Sequence, residues 1–135
     1  MATVQDNHHQ AVGRRKSAVA RVRLFPGQAQ MIVNGKPISD YFKGPVAQKA
    51  YQRPFELTKT LGKMTGTVKI IGGGPKAQLD ALVHGIAKVL ESADSTANRK
   101  SLKSAGLLTR DSRVRERRKF GRAGKARALK SSPKR

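Results

Sequence analysis

The sequence predicts an α+β fold in which helices cover one face of a mixed β-sheet. Residues 18–24 and 65–71 each alternate apolar with polar or basic side chains, which is the period of a half-buried strand. Apolar residues then recur at intervals of three and four through residues 79–90, which predicts a helix with a stripe that can cover a sheet. Strands combined with one strong connecting helix are typical of α+β domains.

The first part of the chain carries the signals of a hairpin. Residues 1–12 are polar and aperiodic, and we expect them to be mobile. The strand at residues 18–24 meets a Pro26-Gly27 turn, and the apolar residues 29–33 predict a second strand that returns beside it. Asn34-Gly35 then ends the second strand in a tight turn.

Prolines delimit the next elements. Pro37 suits the first position of a short helix that ends at Phe42. A second short helix is predicted over residues 46–51, because Pro54 disfavours helical structure in the residue before it. Residues 55–57 predict a third, short strand.

A glycine-rich turn, Gly72-Gly73-Gly74-Pro75, joins the strand at residues 65–71 to the long helix. Glycines at such a position can hold phosphate on backbone N–H groups, so a nucleotide-dependent enzyme is one alternative function. The spacing fits neither nucleotide-binding fingerprint, G-x-x-x-x-G-K-[ST] or G-x-G-x-x-G. We therefore interpret it as a tight turn that permits close approach of strand, helix or RNA backbone.

The length and order of these elements predict one domain and a tail. A last helical segment over residues 97–105 ends at Gly106. We expect a mobile segment at residues 1–12, an α+β RNA-binding domain at 13–106 and an extended basic C-terminal tail at 107–135.

Charge is the dominant compositional feature. The chain has 29 Lys or Arg and 8 Asp or Glu, a net charge of +21, and residues 98–135 hold fifteen basic and two acidic residues, a local charge of +13. Self-repulsion of this size favours a partner that supplies negative charge, and nucleic acid does so with release of counterions. The tail lacks an amphipathic period, and there is no run of about 18 apolar residues, so we expect no membrane partner.

The residue types present do not suggest catalysis. The chain has no cysteine, which excludes disulfides, thiol catalysis and cysteine zinc sites. His8-His9 have no carboxylate cluster beside them, and His84 has no nucleophile to pair with and is interpreted as solvated or RNA-facing. We predict no enzyme activity, no metal and no other cofactor. Without an apolar signal core at the N-terminus, the expected location is the cytoplasm.

Two groups of basic residues are candidates for phosphate contact. The first is Arg14-Arg15-Lys16 together with Arg21 and Arg23, which face outward on the first predicted strand; solvated charges that protect a sheet edge are the alternative interpretation. The second group lies in the tail, where arginine suits the geometry of phosphate. Its predicted RNA-binding members are Arg110, Arg113, Arg117, Arg118, Lys119, Arg122, Lys125 and Arg127.

Four segments, in order, resemble the family of small ribosomal subunit protein nine, of the bacterial or organellar type. They are G-R-R-K-S-A-V-A-R-V at residues 13–22, V-N-G-K-P at 33–37 with D-Y-F at 40–42, G-G-G-P-K-A-Q-L-D-A-L-V-H-G-I-A-K at 72–88, and L-L-T-R-D-S-R-V-R-E-R-R-K-F-G at 107–121. The resemblance covers residues 13–127, and its third and fourth segments are the most specific.

This resemblance implies a mixed four-stranded sheet with a left-handed crossover, as in the second domain of ribosomal protein five, located in the head of the small subunit. It implies that ribosomal RNA is contacted by Arg14, Arg15, Lys16, Arg110, Arg113, Arg117, Arg118 and Lys119. It also implies that the tail runs towards the peptidyl-site tRNA, with Lys134 and Arg135 nearest to it. Family members often have an aromatic residue and Ser before that final pair, where this chain has Ser131-Ser132-Pro133.

We therefore expect a structural, non-enzymatic constituent of the small ribosomal subunit, in a cytoplasmic or an organellar ribosome. The expected partners are small-subunit ribosomal RNA, peptidyl-site tRNA and neighbouring head proteins, without homo-oligomer formation. A general nucleic-acid compaction protein is a further alternative, and it would bind duplex DNA and RNA alike.

Overall fold

The computed structural model describes residues 8–131 and shows, within them, an α+β domain built on a mixed five-stranded sheet. The sheet order is β1-β2-β5-β3-β4, in which β3 is parallel to β5 and every other neighbouring pair is antiparallel. The predicted class is confirmed, with five strands in place of four. The strands are β1 (His9–Arg15), β2 (Ala18–Pro26), β3 (Ile32–Val33), β4 (Lys36–Pro37) and β5 (Met64–Ile71).

Four helices complete this part of the chain: α1 (Ile38–Tyr41), α2 (Pro45–Leu57), α3 (Pro75–Ala93) and α4 (Ser95–Ser104). Helix α3 packs across β1 and β2, and α2 and α4 pack against α3. The predicted long helix and the helical segment after it are both confirmed.

The core lies between the sheet and α3. On β2 the side chains of Ala18, Ala20, Val22 and Leu24 are fully buried, while the intervening Arg21 and Arg23 are exposed. The predicted apolar stripe of α3 faces the sheet, and its members Leu82, Ile86 and Leu90 are buried almost completely. Burying one such side chain contributes about 1.5–3 kcal/mol, so these contacts fix the position of α3 on the sheet.

Two glycines allow α3 to approach β1 at backbone distance. A Cβ added to Gly13 would lie 2.0 Å from the Ala81 carbonyl oxygen and 2.3 Å from the Gly85 nitrogen. A Cβ added to Gly85 would lie 2.7 Å from a Val22 methyl carbon. Any larger residue at either position would push the helix off the sheet.

The N-terminal boundary was predicted wrongly, because β1 begins at His9 and not after residue 12. Residues 9–12 pair with residues 21–24 of β2, so they belong to the sheet. The face that β1 turns towards α3 carries Gly13 and Arg15, and so has no apolar alternation that could reveal a strand. The rest of the segment predicted as mobile, residues 1–7, lies outside the described residues.

The predicted hairpin between residues 18–24 and 29–33 is also wrong. Strand β2 pairs with β1 and β5, and Ile32-Val33 of β3 instead pair in parallel with Thr67-Val68 of β5. Asn34-Gly35 does form a tight turn, with φ angles of 49° and 81°, but it joins β3 to the short strand β4.

Helix α2 continues through Pro54, where the sequence predicted a stop and then a strand at residues 55–57. Proline removes one hydrogen bond within the helix. Tyr51 and Phe55, four residues apart, are both buried in the core, and their burial offsets that loss.

Candidate nucleic-acid interface

The tail leaves the domain through a fixed segment, residues 106–113, which we name the tail root. Helix α4 ends in a Schellman motif in which the Leu107 N–H donates to the Leu102 carbonyl at 3.1 Å and the Gly106 N–H donates to Lys103 at 3.0 Å. Gly106 has φ of +74°, which favours glycine. Leu107 and Leu108 then pack against the core, so the chain direction is set before the basic run begins.

Arg15 fastens the tail root to the domain. Its side chain is only 14% exposed, and its Nη1 lies 2.8 Å from Asp111 Oδ1. The same nitrogen donates to the Arg113 carbonyl oxygen at 3.0 Å, and Nε lies 3.7 Å from the carboxylate of Asp80 on α3. Hydrogen bonds from Arg113 and the nearby charge of Arg15 hold the pKa of Asp111 well below its usual range. Arg15 thus has its donors directed inward.

His84 on α3 makes a second connection to the tail root. Its Nδ1 accepts the backbone N–H of Arg14 at 3.3 Å, so Nε2 carries the proton and donates to the Leu108 carbonyl oxygen, also at 3.3 Å. Burial is the main cause that lowers the pKa of His84 and favours this neutral form. His84 is thus half-buried with both ring nitrogens bonded, so the solvated alternative is wrong and the RNA-facing alternative stays a prediction.

The face of the sheet opposite α3, which we name the outer face, is exposed and basic. Arg21 and Arg23 of β2 and Lys69 of β5 project from it, and Arg21 lies directly opposite Lys69 in the strand register. Neither β1, β2 nor β5 contains an acidic residue. Like charges on paired strands repel, so an anion bound to this face would stabilise it.

Arg14 and Lys16 extend the basic surface beyond β2. Arg14 pairs with Val19 across the β1–β2 register and is exposed. Lys16 is exposed in the two-residue turn between these strands, at φ of 51°. The first predicted group is therefore brought together, except that Arg15 points into the tail root.

Beyond the root, residues 116–127 form a loop that closes on Glu116. The carboxylate accepts hydrogen bonds from Lys119 Nζ at 2.7 Å and from Arg127 Nε at 3.0 Å. Both bonds lower the pKa of Glu116, and the bond from Lys119 is the larger cause. The other basic side chains predicted in the tail are exposed: Arg110, Arg113, Arg117, Arg118, Arg122 and Lys125. Lys134 and Arg135 lie outside the described residues.

Two lysines of the basic surface, Lys69 and Lys88, were not among the RNA-binding residues predicted from the sequence. Lys69 alternates with the buried Val68 and Ile70, so the strand period predicts that it faces outward. The pairing of β2 with β5 then places it beside Arg21. Lys88 lies one turn after His84 on α3, and its Nζ donates to the Val12 carbonyl oxygen of β1 at 3.1 Å. No local pattern showed that α3 runs along β1.

The glycine turn before α3 is filled by protein. Gly72 and Gly73 both have positive φ, and added Cβ atoms would lie 2.5 Å from the Ser17 carbonyl oxygen and 2.9 Å from the Ala18 Cβ, respectively. Gln78 Nε2 also donates to the Gly72 carbonyl oxygen at 3.0 Å. These contacts account for the glycines as a tight turn beneath β2.

Residues 8–131 contain no helix with the length and apolar character needed to cross a bilayer. Over the same residues, no three side chains of the metal-binding types converge.

Comparison with known proteins identifies the family. The family model described as Ribosomal protein S9/S16 matches residues 13–135. The small ribosomal subunit protein uS9 of Maridesulfovibrio salexigens is 50% identical over 114 residues, which are 84% of this chain and 87% of that protein. The protein of the same name from Gemmatimonas aurantiaca is 49% identical over 115 residues, 85% of this chain and 88% of the relative. The resemblance seen in the four sequence segments is thus confirmed, and the chain belongs to the ribosomal protein S9 family.

Proposed function

We propose that this protein is a structural, non-enzymatic constituent of the small ribosomal subunit that binds small-subunit ribosomal RNA. The observation that carries the proposal is the outer face, where the exposed Arg21, Arg23 and Lys69 have no carboxylate on the same strands. A phosphate backbone supplies the missing negative charge, whereas a purely solvated face would leave Arg21 opposite Lys69 uncompensated.

The proposal assigns different tasks to the domain and the tail. The domain, residues 13–106 extended by the first residues of β1, docks by shape, and phosphate contacts from the outer face and the tail provide affinity. The predicted RNA contacts remain Arg14, Lys16, Arg21, Arg23 and the tail basic residues from Arg110 to Arg127. Arg15 is reassigned to positioning the tail root, because its donors face Asp111 and Asp80.

Further parts of the proposal come from the family. The tail at residues 107–135 reaches towards the peptidyl-site tRNA with Lys134 and Arg135 at its tip, and neighbouring proteins of the subunit head contact the domain. The fold is that of the second domain of ribosomal protein five, with a left-handed crossover. The location is a cytoplasmic ribosome or an organellar one.

Binding to protein-free small-subunit ribosomal RNA, measured between about 0.1 and 0.4 M salt, tests the proposal. If about eight to ten phosphates are neutralised, log affinity falls against log salt with a slope of roughly −6 to −9, and a slope shallower than about −3 contradicts it. The double variant Arg21→Gln/Arg23→Gln should make the slope shallower by about 1.5. The matched control is Lys49→Gln/Lys100→Gln, on exposed positions of α2 and α4. Equal affinity for duplex DNA would favour the compaction alternative.

The tRNA contact needs a separate experiment. Small subunits assembled with a chain that lacks Lys134 and Arg135 should contain the protein in normal amount but bind peptidyl-site tRNA more weakly. Unchanged tRNA affinity would remove this part of the proposal and leave the ribosomal RNA part intact.

A further inference from the structure

A basic groove runs between β1, α3 and the tail root. It is lined by Val12 and Arg14 from β1, His84 and Lys88 from α3, and Leu108 and Arg110 from the root. Each of the three segments therefore contributes one cation, although the three lie far apart in the sequence.

No carboxylate lines this basic groove. The nearest acidic residues, Asp80 and Asp111, line the neighbouring groove together with Arg15, and both pair with it there. Within residues 8–131, neither Arg14 nor Arg110 forms an ion pair, and Lys88 is held only by the Val12 carbonyl oxygen. Both carboxylates thus line the neighbouring groove and not the basic groove, while Arg14 and His84 line both.

The contacts of the tail root hold the groove in shape. Asp111, the residue after Arg110, is bound by Arg15 at 2.8 Å, and the Leu108 carbonyl oxygen accepts from His84 at 3.3 Å. The backbone at Arg110 is therefore held between two anchored residues, which keeps this residue beside Arg14 and Lys88 at the groove. Burial lowers the pKa of His84, which favours the neutral ring, and a neutral ring adds no charge to the groove.

We infer that this basic groove binds one phosphate group of the RNA backbone between Arg14, Lys88 and Arg110. The RNA is then gripped where the tail leaves the domain, so that docking of the root and binding of RNA are coupled. Two guanidinium groups and one ammonium group suit a phosphodiester, since guanidinium donates in pairs and ammonium acts as a point charge. The inference rests on the proposed function, because it names a contact within that interface.

Affinity for small-subunit ribosomal RNA provides the first test. Lys88→Gln and Arg110→Gln should each weaken binding about two- to fivefold, the effect of one exposed ion pair. Each should also make the salt slope shallower by about 0.7 to 0.9. Lys49→Gln, an exposed lysine on α2, removes the same charge away from the groove and should change neither the affinity nor the slope by this amount.

The second test probes the anion site without RNA. Sodium sulfate is added to the full-length protein at constant ionic strength against sodium chloride, and the imidazole resonances of His84 are followed by NMR. A bound anion offsets the charges of Lys88 and Arg110, which both lower the pKa of His84, so sulfate should raise that pKa. The rise should persist in Lys49→Gln and be lost in Lys88→Gln and Arg110→Gln.

The two tests separate the outcomes. Wild-type protein that fails to bind ribosomal RNA refutes the proposed function, whatever sulfate does. If the wild type binds RNA but the Lys88 and Arg110 variants bind it equally well, the inference is overturned while the proposed function stands. If sulfate raises the pKa of His84 but the variants bind RNA normally, the groove holds free anions and RNA does not use it. If chloride raises this pKa as much as sulfate does, the groove has no specific anion site.

Discussion

Replacing Gly13 by alanine should destabilise the domain strongly, because this residue sets the distance between β1 and α3. The added Cβ would lie 2.0 Å from the Ala81 carbonyl oxygen, whereas ordinary contact begins near 3.4 Å, so α3 must move outward by about 1.4 Å. Backbone atoms form the obstacle, and no side-chain rotation can relieve it. The shift would also lengthen the contacts that His84 and Lys88 make with β1.

We expect Gly13→Ala to lower the free energy of unfolding by about 3 kcal/mol or more, at the upper end of overpacking effects. Urea unfolding followed by far-ultraviolet circular dichroism measures this value, in a chloride buffer that screens the net charge. Gly74→Ala is the matched control, because Gly74 has φ of −98° and open space where its Cβ would lie. Its effect should stay within about 1 kcal/mol. An equally small effect for Gly13→Ala would refute the close-packing argument.

Three further predictions concern the tail root, the β3–β5 contact and His84. Asp111→Asn should make amide hydrogen exchange of residues 107–113 about fivefold faster, since Arg15 loses its closest anion; Glu116→Gln, the other tail carboxylate, should leave that exchange unchanged. Asn34→Ala should lower the free energy of unfolding by about 2–3 kcal/mol, because Asn34 bonds both the N–H and the carbonyl of Ile70 and has φ of 49°. Asn34→Gly loses the same two hydrogen bonds but adopts the positive φ without strain. If Asn34→Gly lowers the free energy of unfolding by less than about 1 kcal/mol, these bonds contribute little. For His84, burial lowers the folded-state pKa below 6.5, so the unfolded chain binds more protons and stability falls as the pH drops below about 6.5. His84→Gln should flatten the pH dependence of the free energy of unfolding between about pH 5.5 and 7. An unchanged pH dependence in this variant would show that His84 does not cause it.

The elements that the sequence predicted correctly are those whose burial follows a local period. Strand β5 alternates with period two, and α3 carries apolar residues on one stripe. Strand β1 lacks such a period because its inward positions include Gly13, which a helix backbone covers, and Arg15, which binds Asp111. Close packing and a partly buried ion pair thus replaced the apolar signal.

Long-range pairing accounts for the other errors. A Pro-Gly turn after β2 suggested a local hairpin, but β2 is flanked by β1 and β5, and β3 joins the sheet beside β5. Charge density showed which residues are exposed and basic, yet it could not separate Arg14, which is exposed, from Arg15, which is directed inward. That distinction depends on an aspartate 96 residues further along the chain.

The tail root changes where the proposed RNA-binding tail begins. Both acidic residues of the tail are engaged within the protein, Asp111 with Arg15 and Glu116 with Lys119 and Arg127. Asp111, together with the core packing of Leu107 and Leu108 and the hydrogen bond from His84, makes residues 106–113 part of the domain. Fixing one residue opposes binding by about 1–2 kcal/mol, so eight residues ordered in advance remove on the order of 10 kcal/mol from the entropy that RNA binding must overcome. A carboxylate in a segment that we propose to bind phosphate is therefore consistent with tight RNA binding, because it helps to order the segment before RNA arrives.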